Sequence, residues 1–241
     1  MDQRSQSWSI IIFCFNEVST IVSVIGSAND FLDTINCNDR EIIVVDDGSS
    51  DGSDIEIINL KKTVACLKII RHEKNKGIGE ALRSGYLSAL NENVVAIPAD
   101  GQFDVNEMVP FAIVPPKTII SFYRKDNTVY SLKRNLLSLF NKLINQWILG
   151  IEMKDVNWVK IYRLDELKIV NLKLRSSLVC SEICAKLLLT GNKVVECNSV
   201  YHQRKSGTSK GVSSKVVFQA IKELVKLIWV ITLFRLKKKN G

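Results

Sequence analysis

Short apolar runs that each end in a polar turn constrain this chain more than any other feature. Residues 9–15 (SIIIFCF), 41–46 (EIIVVD), 65–71, 94–98 and 118–123 have the length and continuous apolar character of strands buried on both faces. Between them, residues 17–35, 54–62 and 77–91 carry helical periodicity. Strands that alternate with helices need right-handed crossovers, and so predict an α/β, mainly parallel, doubly wound sheet. Ligands of such a sheet sit beyond the carboxyl ends of its strands. The polar residues at those ends are therefore the first candidates: Glu17, Asp46 and Asp47, residues 72–76 and residues 100–104.

The second half is less regular. Residues 131–148 read as a helix with a broad apolar stripe, 177–189 as another with Gly191 as its C-cap, 194–201 as a strand and 214–236 as a last helix. No repeat or Pro/Gly-rich linker divides the chain, so residues 1–213 are expected to form one catalytic-type domain. Residues 214–241 follow as an apolar helix and basic tail. The 241 residues suffice for a substantial core. No run of 18 residues lacks charge, and the polar N-terminus has no signal-peptide core. Six cysteines without a C-x-x-C pair read as buried thiols of a reducing compartment.

Charge is unevenly placed. The net charge is +8, but from His202 onward ten basic residues face one acid, Glu223, so the rest of the chain is close to neutral. Such a tail suits an anionic partner. Nucleic acid is disfavoured, because there is little aromatic interleaving beyond Tyr201 and Trp229 and no nucleic-acid motif is present. The helix at 214–236 reads either as a core helix or as one lying in a membrane interface, with residues 235–239 on anionic lipid.

The loop DDGSSDGS (46–53) reads either as a solvated turn or as a carboxylate site for a base or ribose. In PADGQFD (98–104), Asp100 and Gln102 offer hard oxygen donors two residues apart, which suits Mg²⁺ or Mn²⁺ held partly by substrate phosphates. Other chemistries are excluded. Leu82 breaks the dinucleotide fingerprint that begins at Gly77, and no phosphate-loop motif occurs. His72 and His202 are not at metal-ligand spacing, and Cys180 and Cys184 read as packing residues.

In order along the chain, FCFNE (13–17), VVDDGSSDGS (44–53), HEKNKGIGEALRSGY (72–86), PADGQFD (98–104), DVNWVKIYR (155–163) and HQRKSGTSK (202–210) resemble the family 2 glycosyltransferases. The similarity is greatest to the branch containing dolichyl-phosphate mannose synthase and other polyprenyl-phosphate glycosyltransferases. The resemblance implies a GT-A fold and an inverting, metal-dependent transfer from a nucleotide-sugar donor to a polyprenyl phosphate. It implies a cytoplasmic enzyme in peripheral contact with the membrane. A sugar hydroxyl of a surface glycan is the alternative acceptor, and a non-catalytic nucleotide-binding adaptor the alternative role. It implies nucleotide contacts at Phe13, Phe15, Glu17, Asp46, Asp47, Lys76, Gly77 and Ala99, and metal contacts at Asp100 and Gln102. Arg124, Arg134, Lys160, Arg204 and Lys210 would gather phosphates. Pro98 replaces the first acid of the family's D-x-D, and Phe13 and Phe15 replace its usual Pro and Tyr.

Independently of any resemblance, a phosphate acceptor is already an anion and needs cations rather than a base. A hydroxyl acceptor needs a base within reach, for which Asp104, Asp155 and Glu182 are the candidates.

Overall fold

The computed structural model describes residues 6–124, 144–200, 202 and 214–239. Seven strands form one sheet: β1 (Trp8–Cys14), β2 (Arg40–Asp46), β3 (Leu67–Arg71), β4 (Asn93–Pro98), β5 (Thr118–Arg124), β6 (Lys160–Arg163) and β7 (Lys193–Ser199). Their spatial order is β3-β2-β1-β4-β6-β5-β7. β1 lies parallel to β2 and β4, and β2 parallel to β3. This is the doubly wound half legible in the sequence. Strand β1 is buried almost throughout, which is why its apolar run is unbroken.

The other half departs from a purely parallel sheet. β6 runs antiparallel between β4 and β5, while β5 and β7 are parallel. Its four residues, KIYR, are too short and too polar at their ends to stand out as a strand. Also absent from the sequence reading are a 3-10 turn at Val105–Phe111 and a short helix at Leu164–Ile169, here α4. Of the helix expected over 131–148, only Ile144–Ile148, a single π-helical turn, lies within the described residues.

Helices cover both faces. Ile21–Thr34 (α1) and Ser53–Leu60 (α2) pack on one side, around Trp8, Ile10, Phe31, Ile42, Ile57 and Phe122. Ile78–Ser88 (α3), α4, Val179–Leu189 (α5) and Ser214–Lys239 (α6) pack on the other, around Ile11, Ile43, Tyr86, Tyr162 and Ile183. Leu227 and Ile231 of α6 belong to this second core, so one side of the C-terminal helix is a core helix. None of the described helices is long and apolar enough to cross a membrane.

Close approach fixes where α3 begins. A Cβ at Gly79 would run into the carbonyls of Arg175 and Ser176. Gly26, in the middle of α1, has nothing near its Cβ position. Gly79→Ala is therefore expected to destabilise the protein by about 1–3 kcal/mol through overpacking. Gly26→Ala should stabilise it by up to about 1 kcal/mol, because alanine is the better helix former. Urea melts of the two variants check this opposite pair of signs.

Candidate active site

The strand order reverses between β1 and β4: the chain winds outward to β3, then returns to the other side of β1. A crevice forms beyond the carboxyl ends at such a point. The loops after β1 and β4 meet there. Ala99 N–H donates to the Phe13 carbonyl at 3.1 Å, and the Thr20 hydroxyl donates to the Ala99 carbonyl at 2.7 Å.

The D-D-G-S-S-D-G-S loop is built from its own carboxylates. Asp46 accepts the Ser49 N–H at 2.9 Å, and its second oxygen lies 3.5 Å from the Arg71 guanidinium. Partial burial alone would raise the Asp51 carboxyl. The Ser53 hydroxyl and the backbone N–H groups of Val18 and Ser53 outweigh that and hold it below the usual range. Ser49 and Ser53 hydroxyls accept from the N–H groups of Asn16 and Glu17, and Asn16 Oδ1 accepts from Ser50 N–H. Serines that looked like turn filler thus join this loop to the one after β1, where Glu17 is buried.

Asp47 organises the next loop. Its carboxylate accepts the N–H groups of Lys76 at 2.9 Å and Gly77 at 2.8 Å, and lies 2.7 Å from His72 Nδ1. His72 Nε2 in turn lies 2.9 Å from the Ser84 hydroxyl on α3. Gly77 enters α3 at φ +90°, and Gly48 sits at φ +76° with Lys74 backbone 2.8 Å from its Cβ position; both positions require glycine. The structure thus brings Phe13, Glu17, Asp46, Asp47, Lys76, Gly77 and Ala99 to one edge. There Asp46 and Asp47 are buried and hold backbone, while Glu73, Lys74 and Lys76 are exposed.

After β4, Asp100 Oδ1 accepts the Gln102 N–H at 3.1 Å. Both side chains are partly exposed on one turn and present the hard oxygens that Mg²⁺ or Mn²⁺ prefers. Among the described residues no group of three or more His, Cys, Asp or Glu could cage a metal, so a cation here would take further ligands from a substrate. The chain returns to this turn after β7: His202 N–H donates to the Gln102 carbonyl at 3.2 Å, and Gln102 Nε2 to the His202 carbonyl at 3.4 Å. Phe103 packs edge-on against Phe122 and Trp158. Trp158 carries the Arg124 guanidinium 4.6 Å above its ring, and Arg124 Nε pairs with Asp155 at 2.8 Å. His72 stands among the strand-end candidates, and its ring meets Asp47; Trp158 and Ser84 are additions of the structure, their signal lying inside blocks that carry other residues.

Lys160 does not stand open to an anion. Its buried ammonium donates to the carbonyls of Asp155, Val156 and Trp158, using its three N–H groups on the loop that carries Asp155 and Trp158. Arg134, Arg204 and Lys210 lie outside the described residues. Glu182 is fully buried, accepts the N–H groups of Lys173 and Leu174, and pairs with Lys186 at 2.5 Å. Burial lowers the Lys186 pKa, against the pull of Glu182.

The chain belongs to glycosyl transferase family 2, whose profile matches residues 9–167. Its fold is GT-A, a mixed α/β sheet of mostly parallel strands. Among curated relatives it is 30% identical over 112 residues to the poly-beta-1,6-N-acetyl-D-glucosamine synthase of Staphylococcus epidermidis, covering 46% of this chain and 26% of that one. It is 25% identical over 151 residues to the undecaprenyl-phosphate 4-deoxy-4-formamido-L-arabinose transferase of Aeromonas hydrophila, covering 61% and 45%. It is 31% identical over 98 residues to the dolichyl-phosphate beta-glucosyltransferase of Saccharomyces cerevisiae, covering 39% and 29%. The matches thus span less than half the length of each relative. Among solved structures, glucosyl-3-phosphoglycerate synthase from Mycobacterium tuberculosis, in complex with Mn²⁺, UDP and glucosyl-3-phosphoglycerate, superposes with a TM-score of 0.59 at 19% identity, covering 95% of this chain and 80% of that one. A mannosyltransferase from Pyrobaculum calidifontis, in complex with GDP-Man and Mn²⁺, gives 0.63 at 15% identity, covering 85% and 59%.

Two outcomes follow from this geometry. Glu182→Ala leaves the Lys186 ammonium buried without its carboxylate and should cost about 3–5 kcal/mol in a denaturant melt. A carboxylate held only for catalysis would leave the midpoint unchanged. Burial, reinforced by Asp46, pushes the Cys14 thiol up to about 12, and burial pushes Cys180 up to about 11. An unfolded thiol ionises near ~8.5, so above that pH the unfolded chain binds fewer protons than the native one. The native advantage is complete below that pH and declines as pH rises toward the folded values, by up to about 1.4 kcal/mol per pH unit for each thiol. Melts between pH 8 and 11 should show this fall, and Cys14→Ala should reduce its slope.

Proposed function

We propose that the protein is an inverting glycosyltransferase that moves a sugar from a nucleotide-sugar donor to a polyprenyl phosphate, at the cytoplasmic face of a membrane with which it associates peripherally. The observation that carries the choice of acceptor is the state of the three carboxylates that a hydroxyl acceptor would call on. Asp104 caps the 3-10 turn by accepting from Asn106, Asp155 pairs with Arg124, and Glu182 is sealed in the core. A phosphate oxygen needs none of them as a base. The names of the Aeromonas and Saccharomyces relatives, both transferases to a lipid phosphate, support the same acceptor.

In this reading the exposed loop around Lys74 and Lys76 and the crevice beside Glu17 receive the nucleotide. Phe13 and Phe15 would flank the base. Asp100 and Gln102 would hold Mg²⁺ or Mn²⁺, which when bound neutralises charge on the leaving diphosphate. The Gln102–His202 contact brings the chain that leads to Arg204 back to the D-G-Q turn, so Arg204 and Lys210 would meet the acceptor phosphate. Arg134 would join them, and Arg124, stacked on Trp158, would close the acceptor side. Attack on the face opposite the leaving diphosphate would invert the anomeric carbon. The poly-beta-1,6-N-acetyl-D-glucosamine synthase relative favours the second reading, transfer to a sugar hydroxyl.

The test is a panel of labelled nucleotide-sugars with Mn²⁺ and polyprenyl phosphate, followed by organic extraction. Label is expected in the organic phase. Label in a water-soluble glycan would establish the second reading, and no turnover of any donor would favour a non-catalytic adaptor. Asp100→Ala should lower turnover on the order of 10²-fold or more, comparable to removing a major electrostatic stabiliser. Full activity in excess EDTA would overturn the role of the metal.

A further inference from the structure

The outer side of α6 has a chemistry of its own. Val225, Trp229, Leu233 and Leu236 recur at helical spacing and share one stripe. They are 65%, 64%, 40% and 53% exposed, whereas Leu227 and Ile231 on the opposite side are buried in the core. An apolar stripe of this size is a mark of an interaction surface, and scattered single residues would not be. Among the described side chains of α6, the charged ones exposed beside the stripe are basic: Lys222, Lys226 and Lys237. The one acid of the helix, Glu223, accepts a hydrogen bond from the Ser176 hydroxyl at 3.2 Å and is partly buried.

The inner side is pinned at both ends. Arg235 donates to the Leu149 carbonyl at 2.9 Å, and Lys238 to the Leu189 carbonyl at the end of α5. Ser176, which holds Glu223, belongs to the segment pressed against Gly79 at the start of α3. The early part of α6 therefore lies at the same edge of the sheet as the candidate site, and the helix leads away from it.

We propose that the Val225–Trp229–Leu233–Leu236 stripe is the surface by which the protein lies on an anionic lipid bilayer. Apolar residues would enter the acyl boundary, and the lysines would rest on acidic headgroups. Charge complementarity selects this occupant. A second copy of the chain would bring lysines against lysines, whereas an anionic surface accepts the stripe and its cations together. In terms of function this rests on the lipid-phosphate acceptor proposed above, because docking by this face sets the site edge near the bilayer. The binding itself can be measured without turnover.

The experiment uses the whole chain and sedimented vesicles of phosphatidylcholine, alone or with phosphatidylglycerol. Binding is expected only with the anionic lipid, and about tenfold or more weaker at high salt. It should fall by at least a similar factor in Trp229→Glu and in the combined Lys222→Gln, Lys226→Gln, Lys237→Gln variant. Brominated lipid should quench fluorescence in the wild type, and that quenching should disappear in Trp229→Phe, which keeps its binding. Equal recovery in the supernatant with and without anionic vesicles would overturn the proposal. So would unchanged quenching in Trp229→Phe, or a wild-type dimer that Trp229→Glu dissolves. Turnover of a short, water-soluble prenyl phosphate is measured alongside. Its retention in Trp229→Glu, with vesicle binding lost, supports docking by this face. Vesicle binding by a wild type that never transfers sugar to any prenyl phosphate would sink the acceptor reading and leave the docking surface standing.

Discussion

The Asp47 carboxylate, almost fully removed from water, is the interaction on which the candidate site depends. A buried carboxylate is costly unless its oxygens are matched by donors. Here two backbone N–H groups and a histidine ring supply them, and all three come from the segment between β3 and α3. The charge therefore cannot be accommodated unless that segment is folded over it. One side chain converts a six-residue, highly charged loop into a fixed platform at the end of the sheet. Asp46 and Asp51 do the same for their own turn, and Thr20 for the loop after β4. At this edge Asp46, Asp47 and Asp51 turn toward amides and tie the loops to one another.

That inward orientation explains what the sequence could and could not convey. The parallel half was legible because a strand buried on both faces must be apolar along its whole length, as β1 and β2 are. The position of the site followed from the reversal of strand order. The direction of each carboxylate was not legible. The D-D pair reads equally well as a ligand site or a turn, since both need acids beside glycine and serine. The structure puts both carboxylates against backbone. Lys160 had the residue type of an anion contact, but its ammonium is the centre of a ring of carbonyls that no spacing rule encodes. The strand it opens, β6, escaped for a related reason: four residues are too few for a period to declare itself.

Glu182 and Lys186 make the same point in the core. Two opposite charges one helical turn apart on α5 usually mark a solvated face. In this fold they point inward and clasp the strandless stretch around residues 170–174. That stretch carries Arg175 and Ser176, which meet the start of α3 and the flank of α6. A buried ion pair contributes little net stability when compared with apolar residues of the same shape. What it supplies here is a single position for a segment that has neither helix nor strand to define it.

The antiparallel insertion of β6 bears on how the molecule comes together in time. β4 and β5 follow one another in the chain yet are not neighbours, and the gap between them is filled by a strand from about sixty residues later, so the sheet cannot close early. The N-terminal strands can pair as soon as they are made. β5 must wait for β6, which bridges the two halves through Val94 opposite Tyr162 and Val95 opposite Ile161 on one side, and Ile120 opposite Ile161 on the other. This narrow strand is the seam of the sheet, and each of its ladders is shorter than those that join β1, β2, β3 and β4. Until it is sewn, the D-G-Q turn and the Arg124–Trp158 pair belong to separate bodies. The acid-bearing edge built on β1, β2 and β4 can therefore take shape while the chain is half made, whereas the side that holds Arg124 and Trp158 waits for residues that follow much later.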